Sequence, residues 1–251
     1  MSPAEPAVDR RIVLCSDWHL PPQQTEQTAF FERFVDAVCR DAARLFVVGD
    51  LFRAWVGPKH AVRPGHAAVL DALRRLAGSG TAVTVLRGNR DFLLDRRALD
   101  PFELELGGDA WRGELGGKTA FLSHGDELCE DDRLHKFLRA VTGHPPVSSM
   151  AKRMPLCAAD GVAGFYRWLS DRRRARRKTR RLQPSDRKLR AEFERGTDLI
   201  VIGHWHEAEM RRGALGLAGK TLVRLGECTE SRASYAELVG GSVELKSFPG
   251  L

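Results

Sequence analysis

The sequence has few of the features that place a protein across a membrane or in an oxidising compartment. Its 251 residues contain no apolar run near the ~18 residues that span a bilayer; the longest runs are short ones such as 199–202. Five cysteines at wide, irregular spacing fit neither a disulfide framework nor a zinc ribbon, so we predict reduced thiols. The first ten residues lack a basic stretch followed by a long apolar one, so we expect no cleaved secretory signal and a cytoplasmic location.

Composition and charge narrow the class of protein further. Hydrophobic residues make up 43% and charged residues 29%, which excludes a disordered, collagen-like or coiled-coil chain. The net charge of +7 is uneven, because residues 172–190 hold 11 basic residues and one acid, whereas the remainder holds 29 basic and 32 acidic residues. Such a segment is typical of a solvated face or of a surface that binds nucleic acid, phospholipid headgroups or a phosphorylated substrate.

Short apolar runs of strand length recur along the chain and predict strands buried in a sheet. The first three alternate with helical patterns over residues 28–40 and 66–76, which predicts a βαβαβ unit. Glycine pairs link the later runs and suggest an antiparallel second sheet. We therefore predict an α+β fold, a two-sheet β-sandwich flanked by helices (α/β-β/α). The predicted strands are 11–15, 45–48, 82–86, 119–122, 199–202, 221–225 and 242–245.

One long segment contains no convincing strand. Apolar residues in 127–195 fall at helical spacings that prolines interrupt. We therefore predict a core formed by residues 10–126 and 196–251, with residues 127–195 as a helical insertion.

Polar clusters follow five of the predicted strands, and the carboxyl ends of strands are where ligands collect in an open sheet. A single aspartate or histidine there is readily explained as a helix cap or a turn residue. Together, nitrogen and oxygen donors without a thiolate suit Mn²⁺, Fe²⁺, Co²⁺ or Zn²⁺ rather than Ca²⁺. Two such cations sharing one carboxylate could clamp a phosphoryl group and supply a hydroxide. The candidate metal ligands are Asp17, His19, Asp50, Asn89, His124, His204 and His206. The other histidines, His60, His66, His135 and His144, are expected on the surface or behind the site.

The order of these clusters, D-x-H, GD, GN, H-G and GH-x-H, resembles the calcineurin-like metallophosphoesterase superfamily. The resemblance implies a calcineurin-like two-sheet sandwich with two divalent cations. It assigns one cation to Asp17, His19, Asp50 and His206. It assigns the other to Asp50, Asn89, His124 and His204.

Within that superfamily the chain most resembles the UDP-2,3-diacylglucosamine diphosphatases of lipid A synthesis. The matching segments are 17–20, 49–52 with Trp55 and Gly57, 88–93, 124–126, 128–129, 131–132, 244–245 and 248–249. This resemblance implies two Mn²⁺ or other divalent transition metals, release of UMP and a lipid 1-phosphate, and a helical insertion that acts as a lid. The chain departs from the family at Arg53, at Pro58 and Lys59, and at Trp205, which alters the rim and removes no candidate metal ligand.

Arg90 stands where much of the superfamily has a histidine that protonates a leaving alkoxide. An arginine cannot donate that proton at usable pH, but its guanidinium can bind the phosphate that leaves when a diphosphate is cleaved. With Asn89 it is therefore predicted to stabilise the charged transition state. The alternative is an arginine that only pairs with Asp91 or Asp132.

The predicted insertion carries the other expected substrate contacts. By the family resemblance these are Asp132, Ser170, Arg173, Arg174 and Arg177, in addition to Arg90. Apolar residues of the insertion could line a chamber for acyl chains or could pack its helices together. The surplus arginines could hold the enzyme on anionic lipid, so we expect it to be peripheral to the inner membrane. We also expect the protein to be a monomer.

Two other functions are compatible with the sequence. The first is a phosphodiesterase or nucleotide pyrophosphatase of the same chemistry that acts on a water-soluble substrate, which the altered rim keeps open. The second is a non-enzymatic RNA-binding module built on the arginine-rich segment. Nucleic acid is not the expected partner, because no aromatic residues are interleaved with those arginines and every candidate metal ligand is present.

Overall fold

Two β-sheets and the helices outside them make up the fold. The computed structural model describes residues 11–129, 154–155, 158, 161–162, 164 and 183–250. The strands are β1 (Ile12–Cys15), β2 (Arg44–Val48), β3 (Ala82–Leu86), β4 (Glu105–Gly108), β5 (Ala110–Leu115), β6 (Lys118–Ser123), β7 (Leu199–Ile202), β8 (Glu209–Arg212), β9 (Thr221–Arg224), β10 (Arg232–Val239) and β11 (Ser242–Pro249). The α-helices are α1 (Glu26–Phe34), α2 (Pro64–Gly78), α3 (Arg96–Leu99) and α4 (Asp186–Glu194).

Shorter helical turns complete the element list. A π-helical turn, Val35–Cys39, continues α1, and 3₁₀ turns lie at Pro58–Val62, Asp100–Phe102, Asp126–Leu128 and Ala214–Gly216. The first turn of α1 is stabilised by a capping box, in which the side chains of Thr25 and Thr28 each accept a hydrogen bond from the other's backbone N–H. Proline begins α2, where its missing N–H costs no helical hydrogen bond.

The first sheet has the order β11-β10-β1-β2-β3-β4. Its strands β1, β2 and β3 are parallel, and α1 and α2 connect them, which confirms the predicted βαβαβ unit. Strand β10 pairs with β1 in the antiparallel direction and forms a hairpin with β11.

The second sheet has the order β5-β6-β7-β9-β8 and is mixed, so the prediction of an antiparallel second sheet was wrong. The glycine pair 116–117 does join an antiparallel hairpin, β5 and β6. However, β6, β7 and β9 are parallel, because the long segment between β6 and β7 returns the chain to the same end of the sheet. The glycine pair 240–241 lies in the first sheet, between β10 and β11.

Three apolar layers show how the sheets and helices pack. Side chains from the inner faces of both sheets, such as Leu14, Phe46, Leu122 and Val201, share the central layer. The outer face of the first sheet packs on α1 and α2, and the outer face of the second packs on α4 through Leu189 and Phe193. The four-layer α/β-β/α prediction is therefore confirmed.

Part of the predicted insertion, 127–195, lies outside the described residues. Its last helix, α4, is described and packs on the second sheet. No helix in the described part of the chain is long and apolar enough to cross a membrane. Cys15, Cys39 and Cys228 are buried thiols that form no disulfide, as expected of reduced cysteines.

Candidate metal centre

The predicted ligands follow the carboxyl ends of five strands: β1, β2, β3, β6 and β7. Parallel pairing places the ends of β1, β2 and β3 at one edge of the first sheet, and the ends of β6 and β7 at one edge of the second. Backbone hydrogen bonds join neighbouring ends, from Asp17 N to Gly49 O at 3.2 Å and from Gly203 N to His124 O at 3.1 Å. The topology therefore brings sequence-distant polar residues into one cluster.

Asp17, His19 and His206 form the first group of donors. The Nε2 atoms of His19 and His206 are 3.4 Å apart. Both approach Asp17 Oδ1, at 3.7 Å from His19 and 3.4 Å from His206. One ligand atom from each residue lies within 4.8 Å of the other two, so the three could hold one cation.

Asp50 connects this group to a second one. Its Oδ2 lies 3.6 Å from His19 Nδ1 and 3.6 Å from His124 Nε2. Asn89 Oδ1 is 2.8 Å from His124 Nε2 and 3.3 Å from His204 Nδ1. All seven predicted ligands therefore meet, and Asp50 lies between the two groups, where a bridging carboxylate would be needed.

Five of these residues have left-handed backbone conformations. The φ angles are 56° at Asp17, 49° at His19, 53° at Asp50, 72° at His204 and 62° at His206. Such a conformation costs roughly 1–2 kcal/mol for a residue with a Cβ, so the surrounding structure must hold it in place. Strain of this kind clusters at functional sites, and nothing in the sequence pattern indicates it.

Trp18 anchors the loop that carries Asp17 and His19. The indole is completely buried, with its ring centroid 4.8 Å from that of Phe31 and 5.1 Å from that of Phe34. Aromatic packing of this extent fixes the loop against α1. The polar neighbours of Trp18 are thereby directed away from the helix layer and toward the second sheet.

Burial and mutual charge shift the pKa values of the cluster in opposite directions. Burial raises the pKa of Asp50, which His124 opposes and Asp17 reinforces. Burial also acts to raise the pKa of Asp17, but the neighbouring His124, His19 and His206 lower it below its usual range. Burial acts to lower the pKa of His124, but Asp50 and Asp17 outweigh it and raise that pKa to about 9. The two buried carboxylates thus favour positive charge between them.

Buried polar atoms without hydrogen-bond partners also indicate that these side chains could hold a divalent cation. Asp17 Oδ1 and His19 Nδ1 are buried and have no hydrogen-bond partner among the described residues. Leaving buried polar atoms unsatisfied costs free energy, and a cation between these side chains would remove that cost. Carboxylate, imidazole and amide donors without a thiolate suit the transition metals and do not select one.

Arg90 lies beside Asp50, at the junction of the two groups of donors. Its backbone N–H donates to Asp50 Oδ1 at 2.8 Å, and its Nε is 3.8 Å from Asp50 Oδ2. The neighbouring Asp91 accepts backbone hydrogen bonds from Gly88 and Phe52 instead. Burial, together with Asp50, raises the pKa of Asp91 to about 7. Asp91 thus holds the loop that presents Asn89 and Arg90.

Two supporting residues escaped the sequence analysis. Ser16 Oγ donates to Asp17 Oδ2 at 2.6 Å, and the His204 N–H donates to the same oxygen at 2.9 Å. Glu227 Oε2 lies 3.0 Å from His206 Nδ1. A small hydroxyl next to a ligand is a weak sequence signal, and Glu227 lies in a loop with no recognisable motif.

Other predictions have mixed outcomes. His60 and His66, expected on the surface or behind the site, are buried next to Trp55, and His135 and His144 lie outside the described residues. At the rim, Arg53 and Lys59 are exposed, whereas Trp205 packs edge-on against His204. The predicted substrate contacts in the insertion lie outside the described residues; they are Asp132, Ser170, Arg173, Arg174 and Arg177.

Comparison with known families matches residues 10–208 to the calcineurin-like phosphoesterases. The UDP-2,3-diacylglucosamine hydrolase of Stenotrophomonas maltophilia strain K279a is 33% identical over 236 residues, which covers 90% of this chain and 94% of that protein. The protein of the same name from strain R551-3 is 33% identical over 225 residues and covers 86% and 90%. A crystal structure of a protein from Thermus thermophilus aligns over 95% of this chain and 98% of that chain, with 12% identity and a TM-score of 0.48.

Proposed function

The chain belongs to the calcineurin-like phosphoesterase family, and we propose that this metal-dependent hydrolase cleaves the diphosphate of UDP-2,3-diacylglucosamine to release UMP and the lipid 1-phosphate. The proposal rests on one observation: seven residues with nitrogen or oxygen donors lie together, with Asp50 between the two groups. Support for the substrate comes from relatives of that name that are 33% identical over most of both chains.

The proposed cofactor is a pair of Mn²⁺ ions or other divalent transition metals. Asp17, His19, Asp50 and His206 would hold one, and Asp50 with Asn89, His124 and His204 would hold the other. Bound there, two such cations supply an activated water as nucleophile and neutralise charge on the phosphoryl oxygens. The backbone hydrogen bonds that join the strand ends hold the protein ligands in place for this role.

Arg90 accounts for the preference for a diphosphate. Its guanidinium is nearly completely buried, so its charge is weakly screened where negative charge develops in the transition state. Cleaving a diphosphate expels a phosphate monoester that leaves as a stable anion and needs no proton donor. Asn89, adjacent in the chain, would help to stabilise the same charged transition state. In this role Arg90 binds the leaving phosphate and transfers no proton.

The substrate's lipid part requires a further element. We assign residues 10–126 and 196–251 to the catalytic core, which α4 joins by packing on the second sheet, and the rest of residues 127–195 to a helical lid that receives the acyl chains. Arg90, together with Asp132, Ser170, Arg173, Arg174 and Arg177, would contact the polar part of the substrate. With its cluster of arginines the protein would act as a monomer at the cytoplasmic face of the inner membrane.

Removing the charge of the shared carboxylate tests the metal centre and the reaction together. In Asp50→Asn we expect bound Mn²⁺ to fall and hydrolysis of UDP-2,3-diacylglucosamine to decrease by on the order of 10²-fold or more, because even outer-shell partners of metal ligands are worth 10–100-fold. Metal analysis and release of UMP measure the two effects. Asp36→Asn, an exposed aspartate on the turn after α1, is the matched control and should behave as wild type. Equal activity in Asp50→Asn and wild type would refute the bridging role.

A water-soluble substrate is the second candidate, because the exposed Arg53 and Lys59 replace residues of the lipid-hydrolase pattern at the rim. Comparing turnover of the acylated UDP-sugar with that of bis-p-nitrophenyl phosphate separates the two. The lipid proposal requires faster turnover of the acylated UDP-sugar. Faster hydrolysis of the generic diester would favour the soluble substrate.

A further inference from the structure

Glu227 lies outside the predicted ligand set, yet it contacts one of its members directly. Its Oε2 is 3.0 Å from His206 Nδ1. The other ring nitrogen, Nε2, points into the cluster, 3.4 Å from Asp17 Oδ1 and 3.4 Å from His19 Nε2. The two nitrogens of His206 therefore have separate partners, a carboxylate on one side and the candidate ligands on the other.

Backbone hydrogen bonds hold the loop that carries Glu227 against the segments that follow β7 and β1. Glu227 N donates to His206 O at 3.3 Å, and Cys228 N donates to Asp17 O at 3.2 Å. Glu227 thus contacts His206 through both its backbone and its side chain. The side chain of Glu227 is 37% exposed and that of His206 is 17% exposed, so this contact lies at the edge of the cluster.

His124, in the second group of donors, has a different kind of support. His124 Nδ1 is 3.3 Å from the backbone carbonyl of Val48. A neutral carbonyl is a weaker acceptor than a carboxylate, because charge-assisted hydrogen bonds are roughly twice as strong as neutral ones. A histidine that donates its second N–H to a carboxylate is held in one tautomer and becomes a more basic ligand.

We infer that Glu227 is a positioning residue that fixes the Nδ1–H tautomer of His206 and thereby tightens cation binding by the group Asp17, His19 and His206. The inference rests on the proposed function, since it requires His206 to bind a cation through Nε2. It adds the prediction that loss of the Glu227 carboxylate weakens one of the two cation sites and spares the other.

Calorimetric titration of metal-free, full-length protein with Mn²⁺ tests the inference without reference to activity. In Glu227→Gln we expect the dissociation constant of one Mn²⁺ equivalent to rise by about 10-fold or more and that of the other equivalent to stay unchanged. Glu227→Asp, which keeps the carboxylate, should recover part of the loss. Glu230→Gln is the matched control, an exposed glutamate in the same loop, and should titrate as wild type.

Histidine NMR supplies a readout that a purely structural role would not change. Long-range ¹H–¹⁵N spectra of the metal-free protein should show His206 as the Nδ1–H tautomer in wild type and as a tautomer mixture in Glu227→Gln. If Glu227→Gln does not fold, the tautomer in wild type and the titration of Glu227→Asp decide the question. An Nε2–H tautomer in wild type would overturn the inference.

A third variant separates failure of the inference from failure of the proposed function. If His206→Ala keeps both Mn²⁺ equivalents at wild-type affinity, the proposed metal centre is wrong. If His206→Ala loses one equivalent while Glu227→Gln binds both as wild type does, the metal centre stands and the role of Glu227 is refuted.

Discussion

At the scale of single residues, we expect Arg90 to determine which leaving group the site can serve. Its guanidinium lies beside Asp50 and carries a fixed positive charge, so it can bind a departing phosphate and cannot protonate an alkoxide. In Arg90→His we expect diphosphate hydrolysis to fall by on the order of 10²-fold, as when another transition-state donor is removed. Hydrolysis of a diester with an unactivated alcohol should fall less, because histidine can act as a general acid.

The ratio of the two rates is the measurement that checks this prediction. Arg53→His, at an exposed rim position, controls for the added histidine and should leave the ratio unchanged. Equal losses for both substrates in Arg90→His would show that Arg90 acts without regard to the leaving group.

His66 controls stability at acidic pH rather than catalysis. Burial lowers its pKa to about 4, and its ring packs against those of Phe52 and Trp55. The unfolded chain protonates His66 near its ordinary pKa of ~6.5, whereas the folded protein stays neutral at this position until about pH 4. This neutral histidine therefore costs no stability above pH 6.5, and the free energy of unfolding falls as the pH drops from 6.5 to 4, by about 3 kcal/mol in total.

Urea unfolding at pH 7.5 and at pH 4.5, compared between wild type and His66→Leu, isolates this effect from other titrating groups. The loss of stability on acidification should be smaller in His66→Leu by roughly 2–3 kcal/mol. The same loss in both proteins would mean that His66 is protonated in the folded state.

At the scale of elements, the end of β3 approaches the end of β2 so closely that only glycine fits. A Cβ on Gly88 would lie 2.2 Å from Asp50 Oδ1 and 2.3 Å from Asp50 N. Gly88→Ala should therefore move the loop that carries Asn89 and Arg90, with a stability loss of about 1–3 kcal/mol or more and weaker Mn²⁺ binding. Urea unfolding and calorimetry measure both.

The helix α2 offers a matched control for that substitution. Gly78, its last residue, has no atom within 4 Å of an added Cβ and no positive φ. Gly78→Ala should stabilise the protein by roughly 0.5–1 kcal/mol and leave metal binding unchanged. Similar losses in both variants would show that the close approach at Gly88 carries no special cost.

Most of the strands that sequence patterns predicted pack on two faces; the exception is 242–245, which lies in the edge strand β11. Leu199–Ile202 is buried at every position and matches its predicted bounds, as does Ala82–Leu86. Strand β8 was missed because it lies at an edge of its sheet and carries two exposed arginines. Strand β10 was missed because its buried positions include alanine and serine, which give little hydrophobic signal.

The sequence was enough to predict which residues form the candidate site, but not the backbone conformations and neighbouring contacts that hold them in place. Parallel strands end at the same edge, so strand order alone brings together residues of one sheet, such as Asp17 and Asp50. The meeting of Asp17 with His204 also requires the two sheets to pack against each other. The left-handed backbone at these positions was not predictable, because aspartate and histidine rarely adopt it without a surrounding structure that enforces it. The contact between Glu227 and His206 depends on how a loop after β9 folds back, and no periodicity encodes that.

At the scale of the whole molecule, charge is divided between the sandwich and one segment. Residues 172–190 carry a net charge of +10, and the rest of the chain carries −3. The catalytic core, residues 10–126 and 196–251, holds 22 basic and 22 acidic residues and so has no electrostatic reason to approach an anionic bilayer. The basic segment does have an electrostatic reason to approach such a bilayer, and a substrate with acyl chains would be found in the bilayer. Its arginines up to 181 lie outside the described residues.

Binding to vesicles that contain anionic lipid tests this division. Each basic residue near such a surface contributes ~1 kcal/mol, so Arg180→Gln combined with Arg181→Gln should weaken binding by about 30-fold at low salt. Arg74→Gln with Arg75→Gln, two exposed arginines on α2, removes the same charge from the core and should change binding little. Raising the salt concentration should release the wild type, since screening shortens the range of the attraction. Equal weakening by both pairs would show that net charge, rather than the basic segment, holds the protein on the lipid surface.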